Sequence, residues 1–490
     1  MKKETSYSQI LKSTSIFGGS QMLVIIIGIV RAKAIALLLG PAGIGIIGIY
    51  QSIVDMLRTG CGLGLDTGGV REVAAANSLD DKTLLGKTTY RLNWWFLIAA
   101  LFGLTACIAF CRPISIWAFG TSEYVLSIVL LSIPIFLAIL TTGRSISIQG
   151  MRKVSYMAQY EVWGSLVGLL VALPLYYILG LKGIIPAFIT TSLILYFFVE
   201  FYYKKLNVRL IKIPRKEVFE AGLSTLKLGV FIVISGVIST ASMFFVRAYI
   251  SRSLDIEAAG LFQSAWTITT VYLGLILKSM GADFFPRLSA IAEKKTEIKK
   301  LVNEQTYVVL IISVPIIIVM LLFSGFALSV LYSSKFTNAE NILQWQILGS
   351  VLKLLSWPIA FIMLAKKKGL IFLFSEVVFY ISYLAASYLL FPQYGLDAVG
   401  VGYLIAYMIY LPLIALIGWR ISGFMWSREV VVMIAVGLVL ICTTFYISRT
   451  DGVNTWIFGS IVLLISLFYS FYKLKKVFSL EDLKNWFSKK

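Results

Sequence analysis

Long apolar segments, separated by short polar or glycine-proline stretches, follow one another along almost the whole chain. Most of them match or exceed the roughly 20 apolar residues that an α-helix needs to cross a bilayer. We therefore predict an all-α polytopic membrane protein with about 14 transmembrane helices. The predicted spans cover residues 10–39, 43–73, 91–111, 124–148, 156–179, 183–203, 224–250, 258–288, 306–332, 339–365, 370–391, 396–419, 429–447 and 455–473.

Composition supports this class and narrows the chemistry. Of the 490 residues, 59% are hydrophobic and only 14% are charged, against about 25% charged in ordinary soluble domains. Histidine, the commonest metal ligand and near-neutral proton carrier, is absent. The four cysteines lack metal-site spacing, and no GxxxxGK[ST] motif for ATP hydrolysis is present. We expect no catalytic site, no metal and no cofactor.

Basic residues are distributed unevenly between alternate loops. If the N-terminus is cytoplasmic, 31 of the 44 lysines and arginines fall in cytoplasmic segments and only five in outer loops. This bias is what the positive-inside rule predicts, so we expect both termini in the cytoplasm. It also accounts for most of the net charge of +20, and no soluble basic domain for nucleic acid is present. The tail Phe478–Lys490 has the pattern of a short interfacial helix.

Two stretches of the chain share landmarks in the same order. The intervals Arg31–Arg71 and Arg247–Arg287 are both 40 residues long, and YQS at 50–52 corresponds to FQS at 262–264. Likewise, GLD at 64–66 corresponds to GAD at 281–283. We interpret them as an internal duplication, with six-helix lobes related by a pseudo-two-fold axis along the membrane normal. The predicted divisions are a first lobe at 1–205, a second lobe at 206–420, and two additional helices with a cytoplasmic tail at 421–490.

Charged residues within the predicted spans include more cations than acids. Each costs roughly 2.5–3.5 kcal/mol at the centre of a membrane helix, so it must be paired or face water. Two of the eight cations, Arg144 and Lys227, are near cytoplasmic ends and can snorkel. The candidates for ligand binding are Arg31, Lys33, Arg58, Arg247, Lys278 and Lys353, and the deep acids are Asp55, Asp66, Glu161, Asp283 and Glu376.

This cationic surplus indicates an anionic ligand. The spans are also rich in aromatic residues and glycines, which give a wide apolar surface beside the charges and suit an amphiphile whose tail stays in lipid. Its anionic head would bind to arginine and lysine, which are the usual partners of phosphate. Asp55 and Arg58 are three residues apart and can form a local ion pair instead. Arg31 and Lys33 point about 200° apart on a regular helix, so both cannot line one cavity unless the helix is distorted.

Several short motifs resemble a known transporter family. They are the basic residue upstream of LLLGPAGIG, the following GIYQS, the GLGLD end of the second span, and QGMRKVSYMA after the fourth span. These resemble the polysaccharide flippases of the multidrug/oligosaccharidyl-lipid/polysaccharide exporter superfamily, particularly the O-antigen (Wzx-type) translocases. Many members carry an arginine four residues before the Gly-Pro turn. Here that position is Leu37, and the cation is Lys33 one turn earlier.

The resemblance implies a function in the bacterial inner membrane. Such proteins move an undecaprenyl-pyrophosphate-linked oligosaccharide from the cytoplasmic to the periplasmic leaflet by alternating access. It implies that the six candidate cations hold pyrophosphate and acidic sugar, and that the five acids either carry protons or sodium or neutralise neighbouring cations. It also implies membrane lipids, a polysaccharide polymerase and chain-length machinery as partners.

Two other functions remain open from the sequence. A membrane glycosyltransferase or ligase that uses the same lipid carrier would need a large outer loop for its active site, and no outer loop here is long enough. An ion-coupled multidrug exporter of the same superfamily would favour an acidic cavity for cationic drugs. The excess of cations in the spans favours the flippase.

Overall fold

The structure, a computed structural model, describes residues 6–62, 64–79, 81–449 and 453–477. For some helical residues the structure describes the backbone but not the side chain, namely 6–17, 67, 215, 220–230, 232, 272, 273, 275, 276, 278, 279, 282, 453, 454, 476 and 477. The interfacial helix predicted for Phe478–Lys490 therefore lies outside the described residues, as do the side chains of Lys227 and Lys278.

The described part of the chain is helical and contains no β-strand. Two short 3-10 helices, Gly180–Gly183 and Ser334–Ala339, join longer elements. The α-helices are α1 Ser6–Cys61, α2 Leu65–Ser78, α3 Lys82–Ala109, α4 Cys111–Phe119, α5 Val125–Gly150, α6 Val154–Leu179, α7 Ile184–Lys204, α8 Arg215–Ser253, α9 Ile256–Ala290, α10 Lys295–Leu322, α11 Ser324–Leu331, α12 Glu340–Ala365, α13 Gly369–Tyr394, α14 Asp397–Ser422, α15 Arg428–Ile447 and α16 Val453–Val477.

The helices have the length and polarity of membrane spans. Among the described residues, eleven stretches are long and apolar enough to cross a bilayer, and two of these, Gly18–Cys61 and Val154–Lys204, are 44 and 51 residues long. Each long stretch contains two helical segments joined by a sharp turn. Since backbone polar groups must be satisfied internally in lipid, long apolar segments are expected to be helical. The predicted all-α polytopic architecture is confirmed.

A sharp break divides α1 at the predicted Gly-Pro turn. Gly40 has φ 66° and ψ −166°, a conformation open only to glycine, and Pro41 follows it directly. Proline is tolerated in the first turn of a helix because its missing N–H needs no partner there. The break separates a first arm, residues 6–39, from a second arm, residues 41–61.

The prediction of one continuous span at 43–73 is wrong. The second arm of α1 ends at Cys61, where the Gly62 N–H donates to the Arg58 carbonyl, and α2 begins at Leu65. Gly64 has φ 71°, in the left-handed region that glycine adopts without steric cost. The corresponding landmark of the second copy adopts a different structure, because α9 runs without a break through 281–283 to Ala290.

The chain separates into two compact units. The first contains residues up to Gln263 together with Leu331–Lys335, and the second contains Ser264–Val330 with the remainder from Phe336. In the first unit, α1 packs against α6 and α8, and α5 packs against α3 and α7. In the second unit, α14 packs against α12 and α13, while α10 contacts α12, α15 and α16. The lobe boundaries predicted from the repeat stay a prediction.

One backbone crossing in the first unit is unusually close. The second arm of α1 meets the start of α9 at two glycines, Gly45 and Gly260. A Cβ atom at Gly260 would lie 1.9 Å from the carbonyl oxygen of Pro41, and one at Gly45 would lie 2.1 Å from that of Ile256. Only residues without a side chain allow two helices to approach this closely.

One amide side chain of α10 binds the segment that leads into α15. Asn303 Nδ2 donates to the carbonyl oxygen of Met425, at 3.1 Å, and to that of Lys299, at 2.7 Å. Asn303 Oδ1 accepts from the backbone N–H of Ser427 at 2.7 Å. Ser427 is the N-cap of α15, and its hydroxyl accepts from Val430 N–H. The beginning of α15 is thus fixed to the side of α10.

Candidate functional site

A cavity of about 230 Å³ lies in the first unit beside the break between α1 and α2. Five helices contribute its walls. The lining residues are Arg58, Thr59 and Gly62 near the end of α1, Gly64 and Asp66 at the start of α2, Phe96 of α3, Ile139 and Thr142 of α5, and Val233 and Gly236 of α8. The helical break therefore places the end of α1 and the start of α2 at the same cavity.

Arg58 is the cation of this cavity, and its neighbours on α1 orient it. Its guanidinium lies 3.5 Å from the carboxylate of Asp55, so the local ion pair predicted from their spacing is formed. The amide of Gln51 donates to the other carboxylate oxygen of Asp55 at 3.2 Å. The Arg58 side chain remains 47% exposed. Because Arg58 has several donors and Asp55 accepts from only part of them, the guanidinium keeps donors for a ligand.

The start of α2 adds backbone donors to the same cavity. The N-cap residue Gly64 has no side chain to accept hydrogen bonds from the first turn. The first N–H groups of a helix have no intrahelical partner and carry part of the positive end of the helix dipole. Asp66 also lies in this first turn and lines the cavity, with an exposed side chain. The arrangement combines a cation, a carboxylate and a helix N-terminus.

Arg31 and Lys33 lie on the first arm of α1, away from the lining of this cavity. Both side chains are half-buried. Arg31 makes no hydrogen bond or ion pair with any described residue. Arg31 therefore accounts for part of the excess of cations over acids that the sequence shows within the spans.

Arg247 is buried in the first unit, with only 7% of its surface exposed. Its Nε donates to Gln263 Oε1 at 2.7 Å, and its Nη1 donates to the Met243 carbonyl at 3.1 Å. The guanidinium carbon lies 5.8 Å from the ring centre of Phe262. The side chain of Gln263 packs directly over Gly48, where a Cβ atom would lie 2.9 Å from it. Gln263 thus links the buried cation to the second arm of α1.

Lys353 and Glu376 lie in the second unit. Glu376 of α13 accepts a hydrogen bond from the Tyr410 hydroxyl at 3.0 Å, and the charge of Lys353 acts on it. Both side chains are half-buried. Rings of Phe379, Tyr407 and Tyr410 pack around this region, with Phe379 and Tyr407 centres 4.5 Å apart. The carboxyl of Glu376 is therefore held in an aromatic environment with one hydroxyl donor.

The remaining candidate acids have partners outside the cavity. Glu161 of α6 accepts a hydrogen bond from the amide of Gln21 on the first arm of α1. Asp283 forms an ion pair with Arg287 one turn along α9, at 3.1 Å, with both side chains largely exposed. Among the predicted acids with described geometry, only Asp55 and Asp66 accompany Arg58 near the cavity.

Arg144 does not snorkel. Its Nε donates to the Glu200 carboxylate at 2.7 Å, and its Nη1 donates to the side-chain oxygen of Asn93. Asn93 in turn donates to the Tyr203 hydroxyl at 2.9 Å, and the Arg144 guanidinium lies 4.7 Å from the Tyr203 ring centre. This network connects α3, α5 and α7, so one of the eight cations is neutralised and serves packing.

Sequence reasoning missed several residues of the cavity. Thr59, Phe96 and Thr142 carry no charge and could not be distinguished from other span residues. The helical break had a signal, because glycines occupy positions 60, 62 and 64 in an otherwise apolar segment. In the sequence, Gln263 is distinguished only as a landmark of the repeat, whereas in the structure its hydrogen bond with Arg247 makes it part of the environment of that cation.

Comparisons of sequence find flippases of a membrane lipid among the relatives of this chain. The lipid III flippase of Escherichia coli (strain K12) is 24% identical over 404 residues, which cover 79% of this chain and 92% of the relative. The lipid III flippase of Shigella flexneri gives the same values.

Comparisons of structure show the fold. The lipid II flippase MurJ in its inward closed conformation matches with a TM-score of 0.73 at 15% identity, over 94% of this chain and 98% of that one. An inward-facing multidrug resistance MATE family transporter of the MOP superfamily matches with a TM-score of 0.66 at 18% identity, over 82% and 95% of the two chains. A family model described as polysaccharide biosynthesis protein matches residues 34–341. Since that match covers more than half of the 490 residues, the chain belongs to the polysaccharide biosynthesis protein family.

Proposed function

We propose that this protein is a flippase for a lipid-linked oligosaccharide. The family, the membrane fold and the flippase names of its relatives support this function. The observation that carries the proposal at the level of residues is the cavity beside Arg58, where a cation and the N-terminus of α2 converge. In the finer form of the proposal, the cargo is an undecaprenyl-pyrophosphate-linked repeat unit of O-antigen or a related surface polysaccharide.

The chemistry of the cavity fits a phosphate-bearing head group. Arginine presents a planar fork of donors that matches phosphate oxygens, and a helix N-terminus offers backbone N–H groups to the same kind of ligand. Asp66 can accept hydrogen bonds from sugar hydroxyls, and Phe96 provides an apolar wall. A volume of about 230 Å³ is smaller than a whole oligosaccharide, so this cavity would bind the charged linkage rather than the complete glycan.

The other candidate cations would act elsewhere on the transport path. Arg31 and Lys33 on the first arm of α1, the buried Arg247, and Lys353 of the second unit are spread over several helices. An acidic glycan that moves through the membrane by alternating access needs such cations at more than one position. Lys278, whose side chain lies outside the described residues, keeps the same proposed role.

Energy coupling would involve an acid that changes its protonation or binds an ion. Glu376 is the best candidate of the five, because its half-buried carboxyl is held by Tyr410 and sits beside the cation Lys353. Asp55 and Asp283 are instead in local ion pairs with neighbouring arginines, which explains them as charge-neutralising groups.

The ion-coupled multidrug exporter remains the second candidate. Multidrug resistance MATE transporters share the fold. The same fold is found in the lipid II flippase MurJ, so the fold does not separate the two functions. The sequence relatives and the retained cations favour an anionic lipid-linked cargo.

We place the protein in the bacterial cytoplasmic membrane with both termini in the cytoplasm. The cargo would then move from the cytoplasmic to the periplasmic leaflet, where a polysaccharide polymerase and chain-length machinery would act on it. The distribution of lysine and arginine between loops supports this orientation. We propose transport without catalysis, as the flippase names of the relatives suggest.

The decisive experiment complements a strain that lacks the gene with three variants. Arg58→Ala removes the cavity cation, Arg58→Lys keeps the charge without the planar fork, and Arg112→Ala is the control. Arg112 is an exposed arginine of α4 in the same unit and is absent from the cavity lining. Surface glycan, membrane abundance of the protein and lipid-linked intermediates are measured together.

We expect Arg58→Ala to reduce surface glycan by about 10-fold or more at normal membrane abundance, since a charge-assisted hydrogen bond contributes roughly 1.5–3 kcal/mol. Lipid-linked oligosaccharide should accumulate, and Arg58→Lys should restore part of the export. Arg112→Ala should behave as the wild type. Equal glycan in Arg58→Ala and Arg112→Ala, at equal abundance, would refute the assignment of this cavity.

A further inference from the structure

A second cavity, of about 750 Å³, lies in the second unit between the first half of α10 and the beginning of α15. Its volume is within the range of about 300–1,000 Å³ that is typical of ligand pockets. None of the residues that we assign to cargo or ion transport lines it. Its charged lining consists of three cations and two carboxylates, namely Arg287, Lys299, Lys300, Glu304 and Glu429.

The cations of this cavity are available to an anion. Lys299 is exposed and forms no ion pair with any described residue. Lys300 is 4.0 Å from Glu304, and Arg287 pairs with the exposed Asp283 on its own helix. Ion pairs between exposed side chains are weak, so they can be exchanged for a ligand. The surplus of one positive charge in the lining favours a ligand with a net negative charge.

A shielded amide nitrogen on a half-buried side chain also points to a ligand. Gln305 lines the cavity, and its Nε2 is shielded from solvent yet donates no hydrogen bond to any described residue. Most buried donors in proteins are hydrogen-bonded, and a donor that is not carries a free-energy cost. An acceptor oxygen of a bound ligand would remove that cost. Leu301, Val308 and Val430 supply the apolar part of the lining.

The position of the cavity in the membrane indicates the source of the ligand. It opens beside the basic segment Lys294–Lys300, which the loop charges assign to the cytoplasmic side. The neighbouring helices α15 and α16 expose apolar side chains, among them Val431, Val432, Phe471 and Tyr472. A molecule with a polar head and an apolar chain would meet the cavity with its head and these helices with its chain.

We propose that this cavity binds the head group of an anionic glycerophospholipid, for which phosphatidylglycerol is the representative. The phosphate contacts Lys299, Lys300 and the amide of Gln305. The two hydroxyl groups of the glycerol head donate to the carboxylates of Glu304 and Glu429. A bare anion would be repelled by those carboxylates, and a zwitterionic head would not match the positive surplus.

The test uses the full-length protein purified in detergent, with lipid binding followed by native mass spectrometry. Phosphatidylglycerol and phosphatidylethanolamine are titrated separately, and undecaprenyl pyrophosphate is added as a competitor. The site variants are the double variant Lys299→Gln/Lys300→Gln and the neutral variant Gln305→Leu. The matched control is Lys367→Gln/Lys368→Gln, which removes the same charge from another exposed basic loop of this unit.

We expect phosphatidylglycerol to bind the wild type more tightly than phosphatidylethanolamine. The double lysine variant should weaken it by about 10-fold or more, as expected for two lysines close to an anionic lipid. Gln305→Leu should also weaken binding without loss of stability, because it removes a donor that has no partner. The control pair should bind as the wild type does, which separates this site from other exposed basic loops.

Three outcomes would overturn the proposal. The first is equal binding of the two phospholipids. The second is equal weakening by the control pair and the site pair. The third is displacement of phosphatidylglycerol from this site by undecaprenyl pyrophosphate at equimolar concentration, since that would identify the carrier lipid of the cargo as the ligand.

Discussion

The glycine crossing between α1 and α9 offers a sharp test of the fold. In Gly260→Ala, the new methyl group would lie 1.9 Å from the Pro41 carbonyl oxygen and 3.0 Å from the backbone nitrogen of Gly45. Both obstacles are backbone atoms, so rotation of a side chain cannot relieve the contact. The start of α9 would have to move away from the second arm of α1.

The expected cost follows from two opposing terms. Overpacking of a well-packed site costs about 1–3 kcal/mol, and a contact of 1.9 Å with backbone belongs at or above the upper end. Replacement of glycine by alanine within a helix contributes about 1 kcal/mol of stability in return. We therefore expect a net loss of about 2 kcal/mol. Gly274→Ala, in the same helix with open space around it, should show only the gain.

Thermal unfolding of the purified protein can measure this difference by the loss of helical circular dichroism. This signal reports on both units, which the comparison needs because Gly260 lies in the first unit and Gly274 in the second. A difference of about 3 kcal/mol between the two variants corresponds to a difference of roughly 6–12 °C in Tm for a unit of this size. If Gly260→Ala and Gly274→Ala unfold at the same temperature, the two helices do not cross at these glycines.

Three further changes test other contacts. Arg144→Leu should destabilise the protein by about 2–4 kcal/mol, because it leaves the Glu200 carboxylate without its main partner. The double variant Arg144→Leu/Glu200→Leu should recover most of that loss. Additive effects of the two changes in thermal unfolding would exclude the network. Arg247→Ala should abolish surface glycan, and Gln263→Leu should lower it several-fold if that amide positions the guanidinium; wild-type glycan in both would contradict the role of this cation. Gly40→Ala should cost about 1–3 kcal/mol, since its backbone conformation is open only to glycine, and an unchanged Tm would contradict the break in α1.

The fold could be predicted because the membrane leaves few choices. A long apolar segment in lipid must satisfy its own backbone, so the length of each segment predicts a helix. The Gly-Pro turn at Gly40 could be predicted for a different reason, because glycine and proline together interrupt a helix. The second break was missed because the glycines at 60, 62 and 64 also suit close packing between helices, and only the structure shows Gly64 with a positive φ.

The candidate site was predictable only where contacts are local. Asp55 and Arg58 are three residues apart, so helical periodicity alone brings their side chains together. Arg144 and Glu200 are 56 residues apart and on different helices, and no spacing rule connects them. For the same reason, the sequence identified Arg247 as an embedded cation but did not identify Gln263 and the Met243 carbonyl as its partners.

The hydrogen bonds of Asn303 have a consequence for related chains with and without the last two helices. Two hydrogen bonds of one amide, to Met425 and from Ser427, bind the segment before α15 to α10, and a third joins the amide to Lys299 of its own helix. If a protein of this architecture ended after the equivalent of α14, that amide would lose its hydrogen-bond partners on the following segment. An asparagine here should therefore occur together with a terminal helix pair, and an aliphatic residue should replace it in twelve-helix chains. This single position would then distinguish the two lengths across a genome.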